Sequence, residues 1–322
     1  MFIEQGIKPE NKFWKYLVGS FIMILASSIG QIPLGVAIFF KAMSDGKPMP
    51  ATQEGMLGYL ELNLTLFLIL FSFVIALIAI YIVVRNIHKQ QFKDIVTSRP
   101  KLDKSRIFFS FSLWFVLSVI TMLVDYFLDP ESYVFQFNVV KFVPLFIIAM
   151  LMVPIQTSVE ELVFRGYLMQ GFGNLAKNKW FPLVMTSVIF GGMHFANPEV
   201  TRMGYLIMVY YIGTGFFLGI LTLMDEGMEL SLGFHAANNL VGVLLVTADW
   251  TAFQTYSVFK DVSEPSAGVD IIVPVLIIFP ILLIIFSKVY KWTDWKGKLT
   301  GSIEIPVDEQ QQTTNKIGQI ND

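Results

Sequence analysis

The sequence has no cysteine and is poor in charged residues. Because none of its 322 residues is Cys, disulfide bonds, thiolate nucleophiles and cysteine metal ligands are all excluded. Lys, Arg, Asp and Glu together make up 15% of the chain, against about 25% in soluble domains. The formal net charge of −2 gives no indication of nucleic-acid binding. These shortages disfavour a soluble enzyme and a nucleic-acid partner.

Apolar residues are correspondingly abundant. Hydrophobic residues make up 54% of the chain, and Phe alone occurs 30 times. A soluble fold would leave much of this surface in water, which the hydrophobic effect opposes, whereas about 20 apolar residues suffice for one helix to cross a bilayer. The sequence therefore predicts an all-α integral membrane protein, a polytopic bundle of about eight transmembrane helices. The expected spans are residues 16–40, 62–84, 107–128, 142–168, 180–195, 205–224, 230–246 and 271–286, of which the fifth and seventh are short.

The distribution of basic residues predicts the orientation of the chain. Residues 85–106 contain seven Lys or Arg and only two Asp, whereas residues 125–131 are acidic. Positively charged loops stay in the cytoplasm, so both termini are expected there. We expect a multi-pass protein of the cell membrane, with the lipid bilayer as its surroundings. The absence of disulfide and organellar features favours a bacterial plasma membrane.

Three parts of the chain are expected. Residues 1–141 hold the first three spans and the basic loop, and residues 142–250 hold spans four to seven, the expected catalytic core. Residues 251–322 hold the last span and a polar, Gln-rich tail from residue 301, which is predicted to be disordered.

Ionisable residues inside spans are costly and mark a functional site. Here they occur in three groups, together with neighbouring amide or aromatic residues. The groups are Glu160, Glu161 and Arg165 in SVEELVFRG, Phe190 and His194 in FGGMHF, and His235, Asn238 and Asn239 in GFHAANN. Two of the three histidines of the chain belong to these groups. The third, His88, lies among the lysines of the basic loop, and we expect it to be solvated.

Helical spacing sorts these residues by face. Glu161 and Arg165 are four residues apart and are expected to form a structural ion pair, from which Glu160 is offset by about 100°. His235 and Asn239, also four apart, are expected to project side by side. Phe190 lies one turn before His194 and is expected to cover one side of its imidazole.

The polar stretch at residues 174–179 is expected to be the turn of a helical hairpin. Glu160 and His194 are each 17 residues from Lys177, so they would lie at the same height, about 25 Å from the tip. His235 lies much nearer its own cytoplasmic turn. The three groups can therefore meet only if the hairpin projects beyond the membrane into the cytoplasm.

The residue types are those that amide hydrolysis needs. Burial disfavours the charged form of a carboxylate and therefore raises the pKa of a glutamate embedded in the membrane. The raised pKa lies closer to neutral pH, where a general base works best. Glu160 could then take a proton from a water that His194 helps to orient. His235 and Asn239 supply donors for the oxyanion, each worth about 3–4 kcal/mol in well-studied hydrolases.

The pattern E-E-x-x-x-R, F-x-x-x-H and H-x-x-x-N on successive spans resembles that of the CAAX protease and bacteriocin-processing (CPBP, or Abi) family of intramembrane proteases. The matching residues are Glu160, Glu161, Arg165, Phe190, His194, His235 and Asn239. The resemblance implies an intramembrane endopeptidase acting on a membrane-bound peptide or protein. It implies that Glu160 and His194 activate water and that His235 and Asn239 bind the oxyanion.

Cofactor use is open at this point. The family is commonly labelled metalloprotease, and zinc bound by Glu160, Glu161, His194 and His235 is the alternative. The chain has no H-E-x-x-H motif, and Asn is a poor zinc ligand. We therefore expect no metal.

Two other functional classes fit parts of the pattern. Embedded acids and histidines also build proton-coupled transporters, although the sequence has no inverted repeat. A non-catalytic immunity or partner protein of the same fold would keep the same helices. An intramembrane protease is the interpretation that uses all the motif residues.

Overall fold

A computed structural model describes residues 1–8 and 11–303, and most of this chain is helical. The helices are α1 (Phe13–Gly30), α2 (Ile32–Asp45), α3 (Gln53–Leu57), α4 (Leu62–Ile82), α5 (Lys104–Leu128), α6 (Val139–Glu161), α7 (Met169–Ala176), α8 (Trp180–Met193), α9 (Pro198–Met203), α10 (Ile207–Asp225), α11 (Glu229–Leu244), α12 (Val269–Val273), α13 (Phe279–Tyr290) and α14 (Trp295–Thr300). Helical turns of π type lie at Val83–Ile87, Leu162–Leu168 and Pro274–Ile278, and 3₁₀ turns lie at Ile3–Gly6, Phe92–Ile95 and Pro130–Ser132.

Six helical segments of the described chain are long and apolar enough to cross a membrane. They are Phe13–Asp45, Leu62–Ile87, Lys104–Leu128, Val139–Ala176, Ile207–Asp225 and Val269–Tyr290. Helices α8 and α11, the expected fifth and seventh spans, have only 14 and 16 residues. The polytopic helical membrane fold is confirmed, whereas the number of eight crossings and the three-part division of the chain stay predictions.

A small sheet departs from the all-helical expectation. Strands β1 (Tyr133–Phe135), β2 (Val246–Ala248) and β3 (Phe259–Asp261) form it in the order β1-β3-β2. Strand β3 runs antiparallel to β1 and parallel to β2. Hydrophobic alternation over three residues is too short a signal to be seen in a sequence of this composition.

An ionic cluster joins two connections between helices at one end of the bundle. Asp225 forms ion pairs with Arg99 at 2.9 Å and with Arg106. Arg99 also pairs with Glu229 at 2.9 Å. The basic loop of residues 85–106 therefore lies against the connection between α10 and α11, and its charges are partly compensated there.

Both ends of the described chain lie at this same end of the bundle. The Phe2 N–H donates to Glu226 Oε2 at 2.6 Å, and the Lys298 ammonium donates to the Met224 carbonyl at 2.9 Å. The predicted disorder is wrong for the first residues of the tail, because Ile303 is buried and its N–H donates to the Lys177 carbonyl at 3.0 Å. The rest of the predicted tail, residues 304–322, lies outside the described residues.

The expected hairpin is present, with Lys177 in a left-handed conformation (φ 57°) between α7 and α8. Helix α8 then packs closely on α10. A Cβ on Gly215 would lie 2.7 Å from the Ser187 carbonyl oxygen, so a side chain there would push the two helices apart. Helix α11 packs against both α5 and α6, with an apolar core that includes Leu70, Val153 and Leu240. These contacts bring the polar groups of α6, α8 and α11 together.

His88 is buried, so the prediction that it is solvated is wrong. Only 1% of its surface is exposed, and its ring lies 4.3 Å from that of Tyr16 between centroids. Its Nδ1 lies 3.1 Å from Asn11 Oδ1, and its Nε2 lies 2.9 Å from the Tyr167 hydroxyl. Burial, with a smaller effect of Lys15, lowers its pKa to about 4. The sequence could not show that the N-terminal segment covers this loop.

We expect acid to destabilise the fold through His88. Its folded-state pKa of about 4 lies below the ordinary value of 6.5, so between these values only the unfolded chain takes up the proton. Stability is therefore lost as the pH falls from 6.5 towards 4. The measurement is the thermal unfolding midpoint of the protein in nanodiscs across this range, compared with His88→Gln. The variant should show a shallower acid slope, and equal slopes would contradict the assignment.

Candidate active site

The two glutamates of the first motif end α6, just before a π-helical turn. Glu161 is fully buried, whereas the Glu160 side chain is 18% exposed. The turn Leu162–Leu168 begins directly after them and carries Arg165. Turns of π type insert one residue into a helix and occur frequently at functional sites.

Glu161 and Arg165 form the ion pair that their spacing predicted. Arg165 Nη1 lies 3.2 Å from Glu161 Oε1, and neither side chain is exposed. The guanidinium also donates to the Gly215 carbonyl at 3.2 Å and lies 4.3 Å from the centroid of the Phe190 ring. Arg165 therefore ties α6 to α8 and α10.

His235 lies between the two glutamates. Its Nδ1 is 2.9 Å from Glu161 Oε1, and its Nε2 is 3.4 Å from Glu160 Oε2. The 100° offset led us to expect that Glu160 faces away from the Glu161–Arg165 pair. This prediction is wrong, because His235 contacts both carboxylates. The two nitrogens of one imidazole point in different directions, so a single ring from α11 reaches both carboxylates.

His194 lies just beyond the end of α8. Its Nδ1 is 2.8 Å from the Phe190 carbonyl, which can only accept, so Nδ1 carries a proton, and in the neutral form of the ring Nε2 has a free lone pair. Its ring stacks on Tyr211 at 4.5 Å and lies 4.8 Å from the Phe190 ring. Phe190 thus covers one side of the imidazole, as predicted. Phe190 also contacts His235, with centroids 6.0 Å apart.

Gln156 connects Glu160 to Asn239, the fourth residue that the sequence analysis predicted for the site. The Asn239 amide donates to Gln156 Oε1 at 2.9 Å, and the Gln156 amide donates to Glu160 Oε1 at 2.6 Å. Sequence reasoning missed Gln156 because an uncharged amide is less conspicuous in a span than a charge. Its position four residues before Glu160 was the available signal.

Glu199 was also missed. It lies on α9, five residues after His194, and its Oε1 accepts a hydrogen bond from the Ala252 N–H at 2.8 Å. Burial raises the pKa of the Glu199 carboxyl, and the hydrogen bond from the Ala252 N–H and, to a smaller extent, the charge interaction with His194 oppose this shift. Glu199 is thus a partly buried carboxyl group close to His194 in the chain.

The zinc alternative requires Glu160, Glu161, His194 and His235 to converge. Within residues 1–8 and 11–303, no three His, Cys, Asp or Glu side chains are grouped as a metal ion requires. Glu161 Oε1 is shared between Arg165 and His235, and His194 Nδ1 bonds a backbone carbonyl. This donor set does not fit a zinc centre, and the metalloprotease interpretation has no support from it.

Comparison with known proteins agrees with the motifs. A family model described as type II CAAX prenyl endopeptidase Rce1-like matches residues 139–241, which contain all three motifs. The uncharacterized protein YyaK of Bacillus subtilis (strain 168) is 34% identical over 242 residues, which are 75% of this chain and 80% of YyaK. No solved structure gives a significant match. The chain therefore belongs to the Rce1-like family of type II CAAX prenyl endopeptidases.

Proposed function

We propose that this protein is an intramembrane endopeptidase that cleaves a membrane-associated peptide or protein with a glutamate-activated water. One observation carries the proposal. His235 and Asn239, one turn apart on α11, both connect to Glu160, His235 at 3.4 Å and Asn239 through Gln156. A base and two groups that can donate hydrogen bonds are thus connected at one place in the bundle.

The reaction needs one water and one general base. Glu160, which is partly exposed, takes a proton from the water as its oxygen attacks the carbonyl carbon of the scissile amide. The tetrahedral intermediate then collapses, the C–N bond breaks, and the amine leaves with the proton that Glu160 held. The acid and amine products together contain the atoms of substrate and water.

The other three residues act around this step. The free Nε2 lone pair of His194 accepts a hydrogen bond from the water and orients it. His235 and Asn239 donate to the oxyanion that forms. The Glu161 carboxylate, itself held by Arg165, can only accept, so Nδ1 of His235 donates to it and Nε2 is directed at Glu160. Nε2 donates to the oxyanion when the ring carries a proton on both nitrogens, as an imidazolium.

The protein is proposed to act at the cell membrane. The end of the bundle that carries the ionic cluster around Asp225 is proposed to face the cytoplasm. The loop of residues 85–106 and both ends of the described chain share that end, and basic loops remain cytoplasmic. The relative in Bacillus subtilis supports a bacterial plasma membrane. The family description makes a peptide with a prenylated C-terminal CAAX tail the first substrate class to test.

The test is cleavage of a farnesylated, internally quenched CAAX peptide by the purified protein in nanodiscs. Wild type is expected to release the C-terminal tripeptide, and Glu160→Gln is expected to lose at least about 1,000-fold in kcat because the base is gone. Glu131→Gln, at an exposed glutamate in the 3₁₀ turn Pro130–Ser132, is the matched control and should keep full activity. If wild type and Glu160→Gln were equally inactive on this peptide and on unprenylated membrane-embedded peptides, the protease proposal would be overturned.

A further inference from the structure

Five polar side chains form a continuous hydrogen-bonded chain that ends on Glu160. It starts at Trp114 on α5 and passes through Asn238 and Asn239 on α11. It then reaches α6, where it continues through Gln156 to Glu160. We propose that this chain has one direction, from the indole to the carboxylate, and that Gln156 is a positioning residue that holds Glu160 for catalysis. The catalytic part of this inference rests on the proposed function.

The direction follows from the two ends. An indole N–H can only donate, so Trp114 Nε1, at 3.2 Å, places the carbonyl oxygen of the Asn238 amide towards itself. The Tyr210 hydroxyl approaches the same oxygen at 3.4 Å. An ionised carboxylate can only accept, so Glu160 requires an N–H from its neighbour.

The amides between these ends then have one consistent orientation. With its oxygen turned to Trp114, Asn238 directs its NH₂ to the Asn239 oxygen at 3.2 Å. Asn239 in turn donates to the Gln156 oxygen at 2.9 Å, and Gln156 donates to Glu160 at 2.6 Å. Exchanging the oxygen and the nitrogen of any one of these amides would place two donors or two acceptors face to face. The donor at Trp114 and the acceptor at Glu160 therefore determine the direction of every hydrogen bond in the chain. Chains of this kind also polarise and strengthen their own bonds.

The chain has two consequences at the reaction centre. Gln156 donates a hydrogen bond to Glu160 Oε1, so the other carboxylate oxygen, Oε2, faces His235 and is the one proposed to take the proton from water. Asn239 uses one N–H for Gln156 and retains the second for the oxyanion. Gln156 is itself 3% exposed, which keeps water from competing for these bonds.

Substitutions at Gln156 separate positioning from packing. Gln156→Met keeps the size but cuts the chain, and we expect a loss of about 10- to 100-fold in kcat with little change in KM, since a hydrogen bond to a charged group is lost. Gln156→Glu keeps the acceptor for Asn239 but puts a second carboxylate against Glu160. It should be impaired at neutral pH and partly restored at lower pH, where the new carboxyl group carries a proton that it can donate. Thr157→Val is the control, because it removes a buried hydrogen bond within α6, from the Thr157 hydroxyl to the Val153 carbonyl. It should keep the wild-type pH profile.

The remote end of the chain provides a second measurement. Trp114→Phe removes the directing donor and is expected to lower kcat by about 3- to 10-fold. Its effect should not add to that of Gln156→Met, because both act through the same chain. Ser110→Ala also removes a contact between α5 and α11, a 2.7 Å bond to the Leu230 carbonyl, and its effect should add to that of Gln156→Met. Additive effects of Trp114→Phe, or a normal kcat and pH profile for the Gln156 variants, would overturn the positioning role.

A spectroscopic measurement tests the chain without substrate. In ¹⁵N-Trp-labelled protein in nanodiscs, the Trp114 indole resonance, assigned with Trp114→Phe, is expected to move in Gln156→Met while the other five indole resonances stay in place. An unmoved Trp114 resonance would overturn the directed chain, whatever the activity. If the chain is observed but wild type does not cleave any peptide, the proposed function fails and the connection between Trp114 and Glu160 stands.

Discussion

Replacement of His235 by glutamine is expected to lower kcat by about 100- to 1,000-fold, with a small change in KM, because a donor to the oxyanion acts mainly in the transition state. The substitution also removes the ring that reaches Glu161 at 2.9 Å and Glu160 at 3.4 Å at once. Glutamine is flexible and cannot hold two donors at the fixed angle of an imidazole. The measurement is kcat and KM on the farnesylated peptide used for wild type.

His88→Gln is the matched control for this experiment. His88 is as buried as His235 but lies among Asn11, Tyr16 and Tyr167. The control should therefore lose stability while its kcat stays near that of wild type. A kcat for His235→Gln within a few-fold of wild type, measured on folded protein, would remove His235 from the reaction centre.

Arg165→Met is expected to cost about 3–5 kcal/mol of unfolding free energy, because it leaves the Glu161 carboxylate buried without its cation. Both side chains are completely shielded from solvent, so water cannot replace the lost partner. The same change removes the bond to Gly215 and the contact with the Phe190 ring. The measurement is the unfolding free energy by SDS titration in mixed micelles.

Two variants identify the cause of this loss. Arg85→Met removes an exposed arginine that also lies in a π-helical turn, and it should change the free energy by less than about 0.5 kcal/mol. Adding Glu161→Gln to Arg165→Met removes the uncompensated charge and should restore most of the loss. If the double variant were no more stable than Arg165→Met, the loss would come from packing rather than from the buried charge.

Local features of the site were predictable from the sequence. Residues four apart on a helix lie on the same side, so the Glu161–Arg165 pair could be predicted before any packing was known. The same rule places Phe190 beside His194. It also failed once, since the expected separation of Glu160 from that pair did not anticipate an imidazole from α11 that reaches both carboxylates.

Burial and connection between helices were not predictable in this way. His88 is in a run of basic residues, yet the N-terminal segment covers it. Gln156 carries no charge, and the role proposed for it depends on its hydrogen bond with Asn239, 83 residues away in the chain. Neither composition nor periodicity contains information on which distant segment fills the space beside a side chain.

Hydropathy was enough to predict a helical membrane protein, and the three spaced motifs were enough to propose Glu160, His194, His235 and Asn239 as candidate site residues, because membrane insertion and helical facing depend on residues close together in the chain. The packing of α11 against α5 and α6 decided the rest: it set His235 between two glutamates and joined Trp114 to Glu160 through three amides. These arrangements depend on the shape and hydrogen bonding of surfaces far apart in sequence, which only the folded bundle brings into contact.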